Sequence, residues 1–572
     1  MPGRRIIRGT PVRRPRWSGW LPLAAAALAL VTYVNALDNP FVYDDHDTVL
    51  SNRSLVDLTN LRFILVYTPF RPLVNASYAF DRWLWNYRPV GYHLTNLALH
   101  ALAVVLLFAW IRRALTDAGA SDDSRLPAFA GAALFAVHPL QTEAVAYVSG
   151  RSEVLCAVWF ISALLLARDA ILSNSRAKAV LAGGCGALAL ASKETAVVLP
   201  IVFLAYDWLL RPGDDEVRRR RLFRIMVPLC VLFVVAAVYR LLMLQHGAAG
   251  LSTAILNALT QAIVIWRYLG LIVWPWGQSI MHSVHQVTSL ADPLAWTATM
   301  GIGLVIVAAI GIRRAHPVVA LGFVWFLVVL APSSSFVPLR EGMAEHRVYL
   351  ASAGLFMGIA AILRAWWAKN RARPWLARTA CTAVVIALCL LTVQRNQVWS
   401  DPVTLWTEAT LHAEGMWEPH YALADSLREG GQCAAAVPEY QRVVELRPSH
   451  RDAHTNLGIC LAQTGQPAEA EREFRLALAI DPSFARGYTN LGALSLLTGD
   501  TVRARDFYLQ AIVQDPDNVL ARLQLASLYE KTFHDYHAAA RMCGEARLLA
   551  PATPGVVECV ERNQRLAAGE GR

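Results

Sequence analysis

Residues 17–49, WSGWLPLAAAALALVTYVNALDNPFVYDDHDTV, join a long apolar run to a loop crowded with acids, and the reading of that junction decides the fold. Trp17 to Leu37 is too long for the core of a signal peptide and lacks a small-residue cleavage site, so it reads as a retained membrane anchor. The preceding MPGRRIIRGTPVRRPR carries six arginines, which favour an amino end in the cytoplasm. Asn39 to Val49 then emerges on the outer side, with Asp44 and Asp45 adjacent and His46 and Asp47 behind them. Alone, such a stretch is a solvated Asp-rich turn. The rest of the chain makes it a candidate site.

The 572 residues are 55% hydrophobic and only 17% charged, which excludes an ordinary soluble protein. The net charge of +10 does not point to nucleic acid, because the arginines fall in short clusters between apolar runs, where they orient helices. Nine cysteines form no CxxC and no metal-ligand spacing. Cys156, Cys185, Cys230, Cys381 and Cys389 lie within apolar runs and read as small core residues.

Further apolar runs cover 91–111, 127–147, 152–172, 176–192, 194–210, 225–244, 293–312, 316–332, 347–365 and 375–393. One more, Leu256 to Trp276, holds Arg267 at its centre and Pro275 near its end. If it spans, Arg313, Arg314, Arg364, Lys369, Arg371, Arg373 and Arg378 fall outside. If it lies in the interface, they fall inside with Arg168, Arg176, Lys178 and Arg218 to Arg221, as the positive-inside rule expects. The sequence therefore predicts eleven spans, amino end in and carboxyl end out.

This topology gathers the ionisable residues of the membrane segments at the outer side. His93, Asn96 and His100 open the second span; His138, Gln141 and Glu143 lie in the outer half of the third; Arg151 and Glu153 begin the fourth. Lys193 and Glu194 close the fifth, Arg340, Glu341, Glu345, His346, Arg347 and Tyr349 stand at the start of the tenth, and His282 and His285 lie on an outer loop. Charges near hydrocarbon cost a few kcal/mol each unless paired or hydrated, so their accumulation beside Asp44 marks a site.

From Trp417 the sequence repeats every 34 residues, with Pro448, Pro482 and Pro516 closing successive units and TNLG recurring at 455–458 and 489–492. Leu423, Leu457, Leu491 and Leu525 share one register; Ala436, Ala470 and Ala504 another; Tyr440, Phe474 and Tyr508 a third. This is the tetratricopeptide pattern: small residues let paired helices approach and aromatics fill the neighbouring groove. A fourth unit, Val519 to Pro551, is one residue longer, and Gly555 to Ala568 reads as a capping helix. Cys543 and Cys559 are a candidate pair in an oxidising compartment. The fold class expected is all-α, a polytopic helix bundle followed by an α-solenoid. Its parts are a basic amino terminus (1–16), a membrane module (17–395) with outer loop 38–90 and outer or interfacial segment 245–292, a connector (396–416), about four repeats (417–551), and a cap and tail (552–572).

NPFVYDDHDTV, FRPLVNASYAF, GYHLTNLALHAL, FAVHPLQTEAVAYVSGRSE, SKETAVVLPIVFLAYD, SVHQVTSLADP, PLREGMAEHRVYLAS and RNQVWSDPVTLWTEA, followed by the repeats, resemble the transmembrane and tetratricopeptide repeat-containing family. The resemblance covers nearly the whole chain. It implies a protein O-mannosyltransferase-like enzyme of the polytopic class that uses polyprenyl-phosphate sugars, in which the first of two acids in the first outer loop, here Asp44 of Asp44-Asp45, is the base. Gln141 departs from the family's HPxHTE pattern, which has a second histidine there.

The residues support that chemistry independently. Moving a sugar from a lipid phosphate to a Ser or Thr hydroxyl needs a base as the anomeric carbon becomes cationic, and a carboxylate such as Asp44, with Asp45 and His46 beside it, supplies one. The departing phosphate calls for fixed cations: Arg347 first, then Lys193 and Arg151, with Arg71 a further candidate. His93, His138, Glu143, Glu194, His285, His346 and Tyr349 would line the site. A single displacement inverts the anomeric centre. No cofactor is required; Asp44, Asp45 and Asp47, with His282 or His285, are the set that would hold Mg or Mn, although no spacing demands a metal. The partners expected are the lipid-linked donor, membrane lipid, and an acceptor protein on the repeats. The expected place is a bacterial inner membrane with periplasmic repeats, or an endoplasmic reticulum membrane with lumenal ones. A membrane-anchored repeat scaffold, and a transferase acting on a glycan or lipid, are the alternatives.

Overall fold

The computed structural model describes residues 19–120, 124–211, 250–334, 341–369 and 374–569, with Leu339 and scattered positions between 216 and 238. The basic amino terminus, Arg340 and much of the 225–244 run lie outside the described residues. The described residues form helices and turns and no strand. They divide into two compact units, one ending at Leu405 and one beginning at Trp406.

The first unit contains α1 (Leu21–Tyr33), α2 (Leu61–Tyr67), α3 (Pro72–Trp85), α4 (Pro89–Asp117), α5 (Arg125–Ala136), α6 (Thr142–Val145), α7 (Arg151–Ser173), α8 (Arg176–Ser192), α9 (Leu199–Leu210), α10 (Leu251–Val273), α11 (Pro293–Ile312), α12 (Pro317–Leu330), α13 (Val348–Lys369) and α14 (Pro374–Val398). Proline opens α3, α4, α11 and α12, where its missing N–H costs nothing and its fixed φ suits a helix. Helices α12 and α13 cross closely because both present glycine. A Cβ on Gly322 would stand 2.5 Å from the Gly354 carbonyl oxygen, and one on Gly354 2.7 Å from that of Gly322. Leu304, Val307 and Met300 on α11 and Leu390 on α14 are large and exposed, as lipid-facing side chains are.

Among the described residues six helices are long and apolar enough to cross a bilayer: Pro89–Asp117, Val148–Ser173, Ser252–Val273, Pro293–Ile312, Glu345–Lys369 and Trp375–Val398. Of the other runs expected to span, some form shorter helices, such as Leu21–Tyr33 and Pro317–Leu330, and two are broken. The 127–147 run is not one helix: α5 stops at Ala136, Pro139 opens a 3-10 turn, and α6 follows. The 194–210 run begins with a 3-10 turn, Glu194–Val198, before α9. The Leu256 to Trp276 run lies almost wholly in one helix, α10. Its Gln261 side chain donates to Gly342 O at 2.9 Å, its Tyr268 hydroxyl to Ala344 O at 2.8 Å, and its Ile272 carbonyl faces His138 Nε2 at 3.0 Å. Those partners follow α5 or precede α13, so α10 lies against one end of the bundle.

That end also carries the acidic loop. His100 near the start of α4 reaches Tyr349 Oη at 2.7 Å and Ala136 O at 3.1 Å. The last turns of α1 and α14 meet there too, where Asn35 Nδ2 donates to Val393 O and Asn396 Nδ2 to Thr32 O. The chain thus leaves the membrane unit at the end bearing Asp44. At the opposite end Arg168 holds Asp117 at 2.6 Å and Arg113 holds Asp169 at 3.3 Å.

In the second unit, helix pairs α15 (Glu418–Glu429) and α16 (Cys433–Leu446), α17 (Arg451–Gln463) and α18 (Pro467–Ile480), α19 (Ala485–Leu497) and α20 (Thr501–Gln514), and α21 (Val519–Leu528) and α22 (Tyr536–Leu549) are followed by α23 (Pro554–Ala567). The TNLG glycines have a steric cause. A Cβ on Gly458 would come within 2.6 Å of the Phe474 ring, and one on Gly492 within 2.6 Å of the Tyr508 ring. The extra residue of the fourth unit is absorbed in a π-turn, Tyr529–Phe533, that ends on His534 in the left-handed region. Cys543 and Cys559 are bonded, with Cα atoms 5.7 Å apart; Cys433 and Cys460, a pair the sequence did not suggest, are bonded with Cα atoms 4.9 Å apart.

Candidate active site

A cavity of about 390 Å³ opens at the acidic-loop end, lined by Asp44, Asp47, Thr48, Arg71, Tyr67, Tyr78, Tyr147, Ser149 and His346, among others. The loop Asn39 to Val49, the start of α3, the α6–α7 turn and the start of α13 all contribute. Two carboxylates, one guanidinium, one imidazole and several phenols therefore share one space.

The two adjacent acids sit in different environments. Asp44 is exposed to the cavity, and its backbone N–H donates to Tyr147 Oη at 3.0 Å. Asp45 is fully buried and accepts from Ser149 N at 2.8 Å, Ser149 Oγ at 2.6 Å and Val42 N at 3.1 Å. Burial pushes its carboxyl up to about 7, against the pull of those donors. Asp45 ties the acidic loop to the α6–α7 turn and so holds Asp44 in place. The turn is tight at Gly150, where a Cβ would lie 2.5 Å from Glu143 O.

Of the four candidate cations, the structure brings Arg71 to the cavity and buries or pairs the others elsewhere. Arg151 is wholly buried: it pairs with Asp81 at 2.6 Å and donates to Asn96 Oδ1 at 2.6 Å, Tyr92 O at 2.9 Å and Ser77 Oγ at 3.2 Å. With its nitrogens so engaged, it braces α3, α4 and α7 and has little left to offer a phosphate. Lys193 is buried against Glu153 at 2.5 Å. Arg347 donates to Glu341 O at 3.0 Å, and its side chain is 8% exposed. Arg71, ranked last, lines the cavity with a side chain 42% exposed, paired to Glu194 at 3.2 Å.

Glu143 reaches the cavity through His346, whose Nδ1 lies 2.5 Å from Glu143 Oε1. The other expected lining residues lie elsewhere. His46 is exposed but does not line the cavity. His93 is buried with Nε2 3.0 Å from Asn39 O, His138 caps its turn by accepting from Leu140 N, and Tyr349 is held by His100. His285 pairs with Asp292 at 2.6 Å, and His282 with Glu345 at 2.8 Å. The set expected to hold Mg or Mn is thus dispersed, and the described residues contain no group of three or more His, Cys, Asp or Glu placed for a metal ion.

Sequence reasoning missed Tyr147, Ser149 and Asp81. The last was open to inference, because an arginine in an apolar helix demands a buried carboxylate, but Asp81 stands 70 residues before Arg151.

A charged cavity at one end of an apolar helix bundle, followed along the chain by a tetratricopeptide array, defines a membrane protein that carries protein-interaction repeats. A tetratricopeptide repeat family model matches residues 421–485 and 465–519. Over most of its length the chain is a homologue of the proteins named TMTC protein O-mannosyl-transferases. It is 25% identical to human protein O-mannosyl-transferase TMTC4 over 74% of this chain and 66% of that protein. It is 24% identical to protein O-mannosyl-transferase F38B6.6 of Caenorhabditis elegans over 75% of this chain and 63% of that protein. To protein O-mannosyl-transferase Tmtc1 of Drosophila melanogaster it is 31% identical over 36% of this chain and 25% of that protein. The chain thus spans about two thirds or less of these relatives' lengths.

Proposed function

We propose that this protein is a membrane glycosyltransferase that moves mannose from a polyprenyl phosphate to Ser or Thr hydroxyls, with inversion at the anomeric carbon. The observation that carries the reading is the cavity that joins Asp44 to Arg71. Asp44 takes the acceptor hydroxyl proton as the oxygen attacks the anomeric carbon. The sugar–phosphate bond breaks, its electron pair goes to the phosphate, and Arg71 meets the growing charge once Glu194 is displaced. No metal or cofactor is assigned a part.

The chain is read as crossing the membrane about eleven times, with α10 in the interface and the acidic loop and repeats on the periplasmic face of a bacterial inner membrane. The exit of α14 beside α1 at the acidic-loop end supports placing the tail on the same side as the site. The repeats would present acceptor protein. The test is transfer by the purified protein from polyprenyl-phosphate mannose to a Ser/Thr-rich peptide. No transfer with mannose or any other lipid-phosphate sugar would leave the scaffold reading; transfer to a glycan or lipid but not to peptide would change the acceptor.

A further inference from the structure

His346 is engaged on one side only. Its backbone N–H donates to Glu143 Oε2 at 3.0 Å and its Nδ1 meets Glu143 Oε1 at 2.5 Å, while the residue lines the cavity with Asp44, Asp47 and Arg71. The Glu143 side chain is 4% exposed and that of His346 is 20% exposed. One Glu143 oxygen accepts from the backbone N–H and the other meets Nδ1, so an ionised Glu143 puts the ring proton on Nδ1 and leaves the lone pair on Nε2. Among the described residues Nε2 meets no partner.

We infer that His346 is a sugar-binding residue: Nε2 accepts a hydrogen bond from a ring hydroxyl of the transferred sugar, and Glu143 holds the tautomer that allows it. The inference rests on the glycosyltransferase reading of the cavity. An acceptor side chain brings one hydroxyl, and its proton goes to Asp44. A second uncharged acceptor in the same space matches the only polyhydroxylated reactant, the sugar. Tyr67 and Tyr78 line the same cavity and give the apolar face of a pyranose a surface to rest on. Hydrogen bonds to ring hydroxyls that strengthen as the oxocarbenium ion forms also assist the reaction. Glu143→Gln would invert this arrangement, because its amide would donate to Nδ1 and move the ring proton to Nε2.

The test uses the purified protein, a Ser/Thr peptide and polyprenyl-phosphate mannose donors in which one ring hydroxyl at a time is replaced by hydrogen. For one deoxy donor, wild-type kcat/KM is expected to fall about tenfold, the scale of one hydrogen bond. His346→Ala should lose about as much on the intact donor and nothing further on that deoxy donor. His346→Gln, whose amide oxygen can accept, should keep part of the discrimination, which guards against a variant that fails to fold. Additive losses in His346→Ala and unchanged discrimination in Glu143→Gln for every hydroxyl would overturn the inference while leaving the enzyme reading intact. No transfer by the wild type from intact donors would remove both.

Discussion

Replacing Asp44 and Asp45 by asparagine, one at a time, should separate chemistry from support across a single peptide bond. Asp44 faces the cavity, so Asp44→Asn keeps size and shape and removes only the basic oxygen. A general base is worth about 10²- to 10⁴-fold in rate, or about 3–5 kcal/mol of transition-state stabilisation. The thermal midpoint should move less than in Asp45→Asn. Asp45 instead satisfies three buried donors on Ser149 and Val42. Its amide could keep the Ser149 bonds on the remaining oxygen but would turn an NH₂ group towards the Val42 N–H. Two donors facing each other in a buried site cost about 1–3 kcal/mol. Asp45→Asn should therefore lower the thermal midpoint and lose activity through misplacement of Asp44. The assays are initial rates of mannose transfer and unfolding in detergent followed by intrinsic tryptophan fluorescence. Asp44→Asn within threefold of wild type would refute the assignment of the base, and an unchanged midpoint in Asp45→Asn would refute the brace.

Arg71→Ala should raise KM for the lipid-phosphate donor with little change in stability, whereas Arg151→Gln leaves Asp81 buried without its cation at a cost of about 3–5 kcal/mol; donor kinetics and the yield of folded protein distinguish the two. Gly150→Ala forces the α6–α7 turn open, because its Cβ would lie 2.5 Å from Glu143 O, and should abolish transfer while the tetratricopeptide unit still folds, as limited proteolysis would show. His454 stands 2.6 Å from Glu473, and although burial works against its charge, that contact raises its folded pKa above 6.5. Its contribution to stability is full below pH 6.5 and fades as the pH rises through the folded pKa, a slope that His454→Gln should remove from the repeat unit's unfolding transition. Of the nine cysteines, five are free, so maleimide labelling in denaturant should reach five without reductant and nine after it; nine in both cases would exclude the disulfides.

Much of the fold was legible because it rests on local or strictly periodic signals. The repeat register, the capping helix and the extra residue of the fourth unit all follow from a 34-residue spacing in which each side chain meets a neighbour at fixed separation. The breaks in the apolar runs were harder to see, since hydropathy averages over Pro139 and over the 3-10 turn at Glu194. At the cavity, the sequence had singled out Asp44 and His346, which line it, and Glu143, which meets His346. It did not show that Arg71 lines the cavity while Arg151 is buried on Asp81, because nothing local tells an arginine open to a cavity from one that braces helices.

The amino-acid sequence by itself determined a membrane bundle, a tetratricopeptide tail and a concentration of ionisable residues beside the first acidic loop, since hydrophobic length, charge asymmetry and repeat period are properties of the chain in order. Only the tertiary structure decided which of two neighbouring aspartates faces the cavity, that Arg151 is taken by Asp81 while Arg71 is offered to it, and that Glu143 orients His346. Those choices depend on partners 70 to 203 residues away, and pairing at such distances is set by how the helices pack rather than by any neighbouring residue.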